Sequence, residues 1–166
     1  MRAYLRAFVV GAALAAAIGT ARADDIVETA RKAGQFTMLL KALQQAGLEA
    51  KMKTPGPFTV FAPTDAAFAA LPPEVAKRLM DPANKQELAK VLSYHVLAGR
   101  LLSRDLGTMP RSAATLISEP VVLDPTGQRL KVNEATITTP DMQVDNGIVH
   151  IIDKVMLPAM PIQPTY

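Results

Sequence analysis

The stretch Ile148-Val149-His150-Ile151-Ile152 constrains this chain more than any other. Successive residues of a strand point to opposite faces, and here both faces are apolar apart from His150, so neither can border water. Such a strand belongs in the middle of a sheet, and Asp145-Asn146-Gly147 supplies a tight turn just before it. Elements that cover both of its faces must therefore come from elsewhere in the chain. Phe36, Leu39, Leu40 and Leu43 fall at i, i+3, i+4 and i+7, which predicts an amphipathic helix that Gly47 stops in the left-handed conformation.

The rest of the chain divides into two kinds of pattern. Asp24 and Asp25 stand where a short first helix needs acceptors for its free amides, with Ile26, Val27 and Ala30 on one face. Phe58 to Ala62 is aromatic and β-branched and reads as a buried strand ended by Pro63. Thr64 and Asp65 then cap a helix over Ala66 to Leu71. A helix over Glu74 to Met80 follows, and Asp81-Pro82 opens another that runs to about Tyr94. Beyond it the period changes to that of strands. Val121 to Leu123 and Leu130 to Val132 flank the turn Asp124-Pro125-Thr126-Gly127, and Ala135 to Thr139 alternates. Helices early and strands late, with one early strand, predict an α+β domain whose sheet is mostly antiparallel.

The first 23 residues stand apart. Arg2 and Arg6 precede an apolar run from Ala7 to Ile18, and Ala21-Arg22-Ala23 is a small-x-small site before Asp24. This is the pattern of a signal peptide, because about 12 apolar residues fall short of the roughly 20 that span a bilayer. The organisation read from the sequence is a signal peptide over 1–23, a domain over 24–158 and a proline-rich flexible tail over 159–166. Removing three arginines and no acids takes the net charge from +3 to zero, so the basic balance of the precursor gives no support for nucleic-acid binding. No second run is long enough to be a transmembrane segment, and an exported product, periplasmic or extracellular, is expected. With no cysteine in 166 residues, disulfides, thiolate metal sites and cysteine nucleophiles are excluded, and stability must come from the core.

Three segments together resemble the fasciclin-like domain family. Phe58 to Phe68, containing Phe61, Pro63, Thr64, Asp65 and Phe68, is similar to its first signature box. Tyr94-His95 ends a helix, as in the family. Asn146 to Pro158, containing Asn146, Gly147, His150 and Asp153, is similar to the second box. The resemblance spans about Ile26 to Pro158. It implies an α+β wedge of two packed, mostly antiparallel β-sheets with several helices, and an adhesion or matrix-interaction module with no enzymatic activity and no cofactor. In animal relatives, adhesion to integrins has been linked to the region of the Tyr-His pair and to an aspartate motif before the second box. Tyr94, His95 and Asp141 within Pro140-Asp141-Met142 occupy these places here. Thr138-Thr139 stands where an acidic residue is expected, so the resemblance implies adhesion in a broad sense rather than integrin recognition.

The residues read on their own agree with a non-catalytic role. His95 shares a helix stripe with Leu88 and Leu92, and His150 shares a strand face with Ile148 and Ile152, which predicts hydrogen-bonded core imidazoles. No metal spacing, G-x-S-x-G elbow or phosphate-cradling loop occurs. Asp141, beside Pro140 in a polar stretch, is expected to be an exposed partner contact whose loss leaves stability unchanged. The predicted function is an exported cell-adhesion or extracellular-matrix module that binds an extracellular or envelope protein or polysaccharide. The alternative is a periplasmic carrier or sensor of a small apolar ligand, which requires a cavity between helices and sheet.

Overall fold

Asp25 caps the first helix, α1 (Ile26–Ala33), by accepting a hydrogen bond from the Glu28 amide at 2.8 Å, and Gly34 closes it at a φ of 71°. The structure, a computed structural model, describes residues 24–158. The signal peptide expected over 1–23 and the flexible tail expected over 159–166 lie outside the described residues. Helix α2 (Thr37–Ala46) buries Leu39, Ala42, Leu43 and Ala46 and stops at Gly47, as its period predicts. The one-turn α3 (Glu49–Met52) follows; four residues are too few for a helical period to show. Strand β1 (Phe58–Pro63) and helices α4 (Asp65–Ala69), α5 (Pro73–Leu79) and α6 (Lys85–Tyr94) fall where the sequence places them, with a 3-10 turn over Pro82–Asn84 leading into α6.

The strands are β2 (Val96–Ala98), β3 (Arg111–Ala114), β4 (Pro120–Asp124), β5 (Lys131–Val132), β6 (Ala135–Val144) and β7 (Gly147–Ile152), with a 3-10 turn over Ser103–Leu106. β2 and β3 were not foreseen, being only three and four residues long and carrying little alternation. Strand β6 runs five residues beyond the predicted Thr139. Register irregularities on both sides of Thr139 absorb Pro140, which lacks the amide that regular pairing requires.

Hydrogen bonding runs in the order β2-β1-β7-β6-β5-β4-β3. Strand β6 belongs to two sheets, pairing with β7 in the first and with β5 in the second. All pairings are antiparallel except β1 with β7. A bridge between Leu97 and Thr115 joins the two ends of the order, so the sheets close over one another. β7 lies between β1 and β6 with every residue buried, the central placement its sequence demands.

Two cores result, divided by the faces of β1 and β7. Val60, Ala62, Val149 and Ile151 face the helices, where Val27, Phe36, Leu39, Leu43, Leu88 and Leu92 complete the first core. Phe61 and Ile152 face the second core, between the sheets, with Leu97, Val121, Leu123, Val132 and Ile137. Each fully buried aliphatic or aromatic side chain adds about 1.5–3 kcal/mol of transfer free energy, so a cysteine-free domain can stand on these two layers. The fold is the predicted α+β wedge.

Candidate functional site

The second signature segment places His150 on the β7 face towards the second core, where the Phe61 ring stacks on it with centroids 5.4 Å apart. The imidazole is 2% exposed. Its Nδ1 accepts from the Asp141 backbone amide at 3.1 Å, and its Nε2–H donates to the Leu101 carbonyl at 2.8 Å. The neutral tautomer protonated at Nε2 satisfies both. Burial lowers its pKa from 6.5, against a smaller upward pull from the Leu101 carbonyl and the Asp141 carboxylate.

His95, also 2% exposed, has the opposite tautomer. Its Nδ1–H donates to the Val91 carbonyl at 2.8 Å, while Nε2 accepts from the Met156 amide at 2.9 Å and ties α6 to the segment that follows β7. Burial lowers its pKa from 6.5 to about 4, opposed by the Val91 bond. Because the folded value lies below the unfolded one, this stabilisation is complete above about pH 6.5 and is lost as pH falls. At about pH 5 the loss from His95 alone is on the order of 2 kcal/mol, and His150 shifts in the same direction. Denaturant midpoints at about pH 7.5 and about pH 5 measure this. Equal stability at the two values would contradict the neutral, buried imidazole.

Asp141 is not the free surface charge that the sequence suggests. Its side chain is about one-third exposed, and its carboxylate accepts from the Ser103 amide at 2.7 Å and from the Ser103 hydroxyl. These bonds hold its pKa below 3.8 despite the opposing effect of burial, which is the largest single influence; His150 and Arg104 add to the lowering. The backbone there has a φ of 59°, a left-handed conformation that aspartate tolerates better than most residues. The residue fastens β6 to the Ser103 turn, which argues against the expectation that its loss leaves stability unchanged.

Tyr94 and His95, neighbours in sequence, diverge in space. The Tyr94 hydroxyl donates to the Pro120 carbonyl at 3.2 Å and accepts from the Asn133 side-chain amide at 2.9 Å, pinning α6 to the β4–β5 region. Tyr94 is only 6% exposed. Both side chains are buried, as the helix stripe predicts for His95, so the partner contact that the resemblance implies for the pair has no exposed side chain there. Asn133 was missed by sequence reasoning. Its φ of 52° and its bond from the Val122 amide mark it as a turn residue, a role that the Asn-Glu dipeptide does not signal strongly.

Thr64 caps α4 as expected, its hydroxyl accepting from the Ala67 amide at 3.2 Å. Asp65 serves a different helix. Its carboxylate accepts from the Met38 amide at 2.7 Å, in the first turn of α2, where Phe36 at the N-cap position offers no acceptor. Replacing both residues by alanine therefore uncaps two helices, and the predicted loss is about 2 kcal/mol, close to the sum of the single changes. Thermal melts of the three variants check this; a single change accounting for the whole loss would place both residues on one helix. Phe61, Pro63 and Phe68 are buried, and Asp153 accepts from the Thr136 amide at 2.8 Å. Asn146 is a buried hub between β7, α1 and the end of α3.

Among the described residues, no group of three or more histidine or acidic side chains is arranged to hold a metal, and no helix is long and apolar enough to cross a membrane. Ser103 and His150 both meet Asp141, but the serine does not bond the imidazole, so no nucleophile–base pair forms. The apolar cavity between α1, α2 and the sheet measures about 20 Å³, room for little more than one water. A groove of about 300 Å³ lies on the surface between α2, α4 and α5.

Comparison with known proteins places this geometry. The family described as Fasciclin domain matches residues 34–158. Protein sll1483 of Synechocystis is 39% identical over 141 residues, covering 85% of this chain and 77% of the relative. Transforming growth factor-beta-induced protein ig-h3 of Sus scrofa is 33% identical over 133 residues, which is 80% of this chain but 19% of that protein. Among solved structures, the FAS1 domain pair of the insect cell adhesion molecule Fasciclin I superimposes with a TM-score of 0.71 at 16% identity, covering 84% of this chain and 52% of that one. At that identity the likeness concerns the fold alone.

Proposed function

The chain belongs to the fasciclin domain family, and on that premise we propose that it is an exported, non-enzymatic interaction module that adheres to a protein or polysaccharide of the cell envelope or surrounding matrix. The observation that carries this reading is the internal satisfaction of its polar groups. No buried side-chain nitrogen or oxygen among the described residues lacks a hydrogen-bond partner, and both histidines have both ring nitrogens engaged. Chemistry that is fully used inside leaves recognition to the surface. The small enclosed cavity gives the carrier alternative no comparable support.

The contact surface we favour surrounds Asp141. Thr138, Thr139 and Pro140 are exposed on β6, and Arg104, with its side chain 80% exposed, extends from the turn that Asp141 holds. Asp141 positions this surface and presents the open edge of its carboxylate to a partner. Substituting Arg104→Glu and Thr139→Arg should leave stability within about 0.5 kcal/mol, as exposed changes do, while reducing retention on isolated envelope or matrix material. Retention unchanged in a stable double variant would move the contact elsewhere, and a wild-type chain that binds neither material would end the adhesive reading. Intact-mass measurement of the exported protein tests export separately, with Asp24 expected as the first residue.

A further inference from the structure

Residues Leu101–Leu106 form a strap across the second core, into which Leu106 is buried and against which Leu101 packs. Besides an exposed bond in which the Arg111 guanidinium donates to the Asp105 carbonyl at 3.0 Å, three fastenings hold the strap. The Thr59 hydroxyl accepts from the Leu101 amide at 2.9 Å, the Leu101 carbonyl accepts from His150 Nε2–H at 2.8 Å, and the Ser103 amide and hydroxyl donate to the Asp141 carboxylate. The last two are coupled, because the Asp141 amide donates to His150 Nδ1 at 3.1 Å and so holds Asp141 in its left-handed conformation. One neutral imidazole, protonated at Nε2 and bare at Nδ1, thus governs both.

We propose that the strap is a proton-operated latch, closed while His150 is neutral and released when its Nδ1 takes up a proton from solvent. The proton occupies the lone pair that the Asp141 amide uses, so two N–H groups would face each other and that bond is lost. The nearest acceptor for the new Nδ1–H is Asp141 Oδ1, now 4.0 Å away. Turning towards it draws the carboxylate from Ser103. The charged groups facing this point are Asp141 from β6 and, through Asp141, Arg104 of the strap. Asp105 of the strap is occupied with the Leu102 amide, and β1 contributes the Phe61 ring and no ionisable group. Release uncovers Leu101, Leu106 and the Phe61 face, an apolar surface offered only in acid.

The direction follows from linkage. Protonation of His150 is disfavoured in the closed state, so closure is fully supported above the ordinary histidine value of 6.5 and weakens below it. Each pH unit of that interval favours the open strap by up to about tenfold. Hydrogen exchange of the intact protein at about pH 7.5 and about pH 5, corrected for the intrinsic change in rate, reads the strap directly, alongside an NMR titration of the His150 ring. We expect protection over Leu101–Leu106 to fall about tenfold in step with that titration while β1 stays protected. His150→Gln retains a donor and an acceptor but does not titrate, so its strap should be equally protected at both values. Protection that persists in wild type while His150 titrates, or a pH response that survives in His150→Gln, overturns the latch. Should His150→Gln fail to fold, the wild-type strap must still follow His150 and not His95, which titrates near 4.

Discussion

Gly147→Ala is expected to cost about 3 to 5 kcal/mol, or to leave no folded protein. A Cβ at this position would lie 2.0 Å from the Phe58 carbonyl oxygen and 2.9 Å from its carbon. The sequence suggests a turn glycine, but its φ is not positive; what it supplies is close approach of two backbones at the start of the parallel β1–β7 pair. Relief by movement is blocked from both sides. The Phe58 amide donates to the Asn146 carbonyl at 3.0 Å, and β7 is held on its other edge by β6. Chemical denaturation of the variant measures the effect, and a loss below about 1 kcal/mol would show that β1 and β7 separate easily, against this packing.

The neighbouring change Asn146→Ala is expected to cost about 3 to 4 kcal/mol, because it strands three backbone groups at once. The Asn146 side-chain oxygen accepts from the Ile26 amide at 3.1 Å, at the start of α1, and its nitrogen donates to the Met52 carbonyl at 2.6 Å and the Thr54 carbonyl at 3.1 Å. Only this orientation of the amide matches one donor and two acceptors. Asn146→Asp keeps the shape and the acceptor for Ile26 but sets a carboxylate against two carbonyls, so at neutral pH it should be as damaging as alanine and should recover partly in acid. A wild-type midpoint for the aspartate variant would mean that the bonds to Met52 and Thr54 contribute nothing.

Local patterns foretold a good deal of this. Asp25 and Thr64 cap the helices that follow them, Gly47 ends α2 in the left-handed region, and α2 buries the stripe its period marks. The two-faced apolarity of Ile148 to Ile152 put β7 at the centre, and the apolar company of the two histidines foretold buried, hydrogen-bonded rings. These readings depend on residues within one or two turns of each other, where backbone geometry alone decides which side chains meet.

Roles set by how distant elements dock were not legible. Asp65 looks like a cap for its own helix and instead caps α2, 27 residues earlier. Asp141 looks exposed and instead fastens a turn 38 residues away. A short polar side chain in a loop carries the same sequence signal whether it meets solvent, its own helix or another element, and the choice depends on which unpaired backbone amide tertiary packing brings within reach. The sequence by itself therefore determined the α+β class, the two signature segments, the principal helices and the central strand. Tertiary structure alone decided the parallel β1–β7 pairing, the divergence of Tyr94 from His95 and the coupling of His150 to Asp141. Apolar patterning says that a face must be covered and leaves open which strand or side chain covers it.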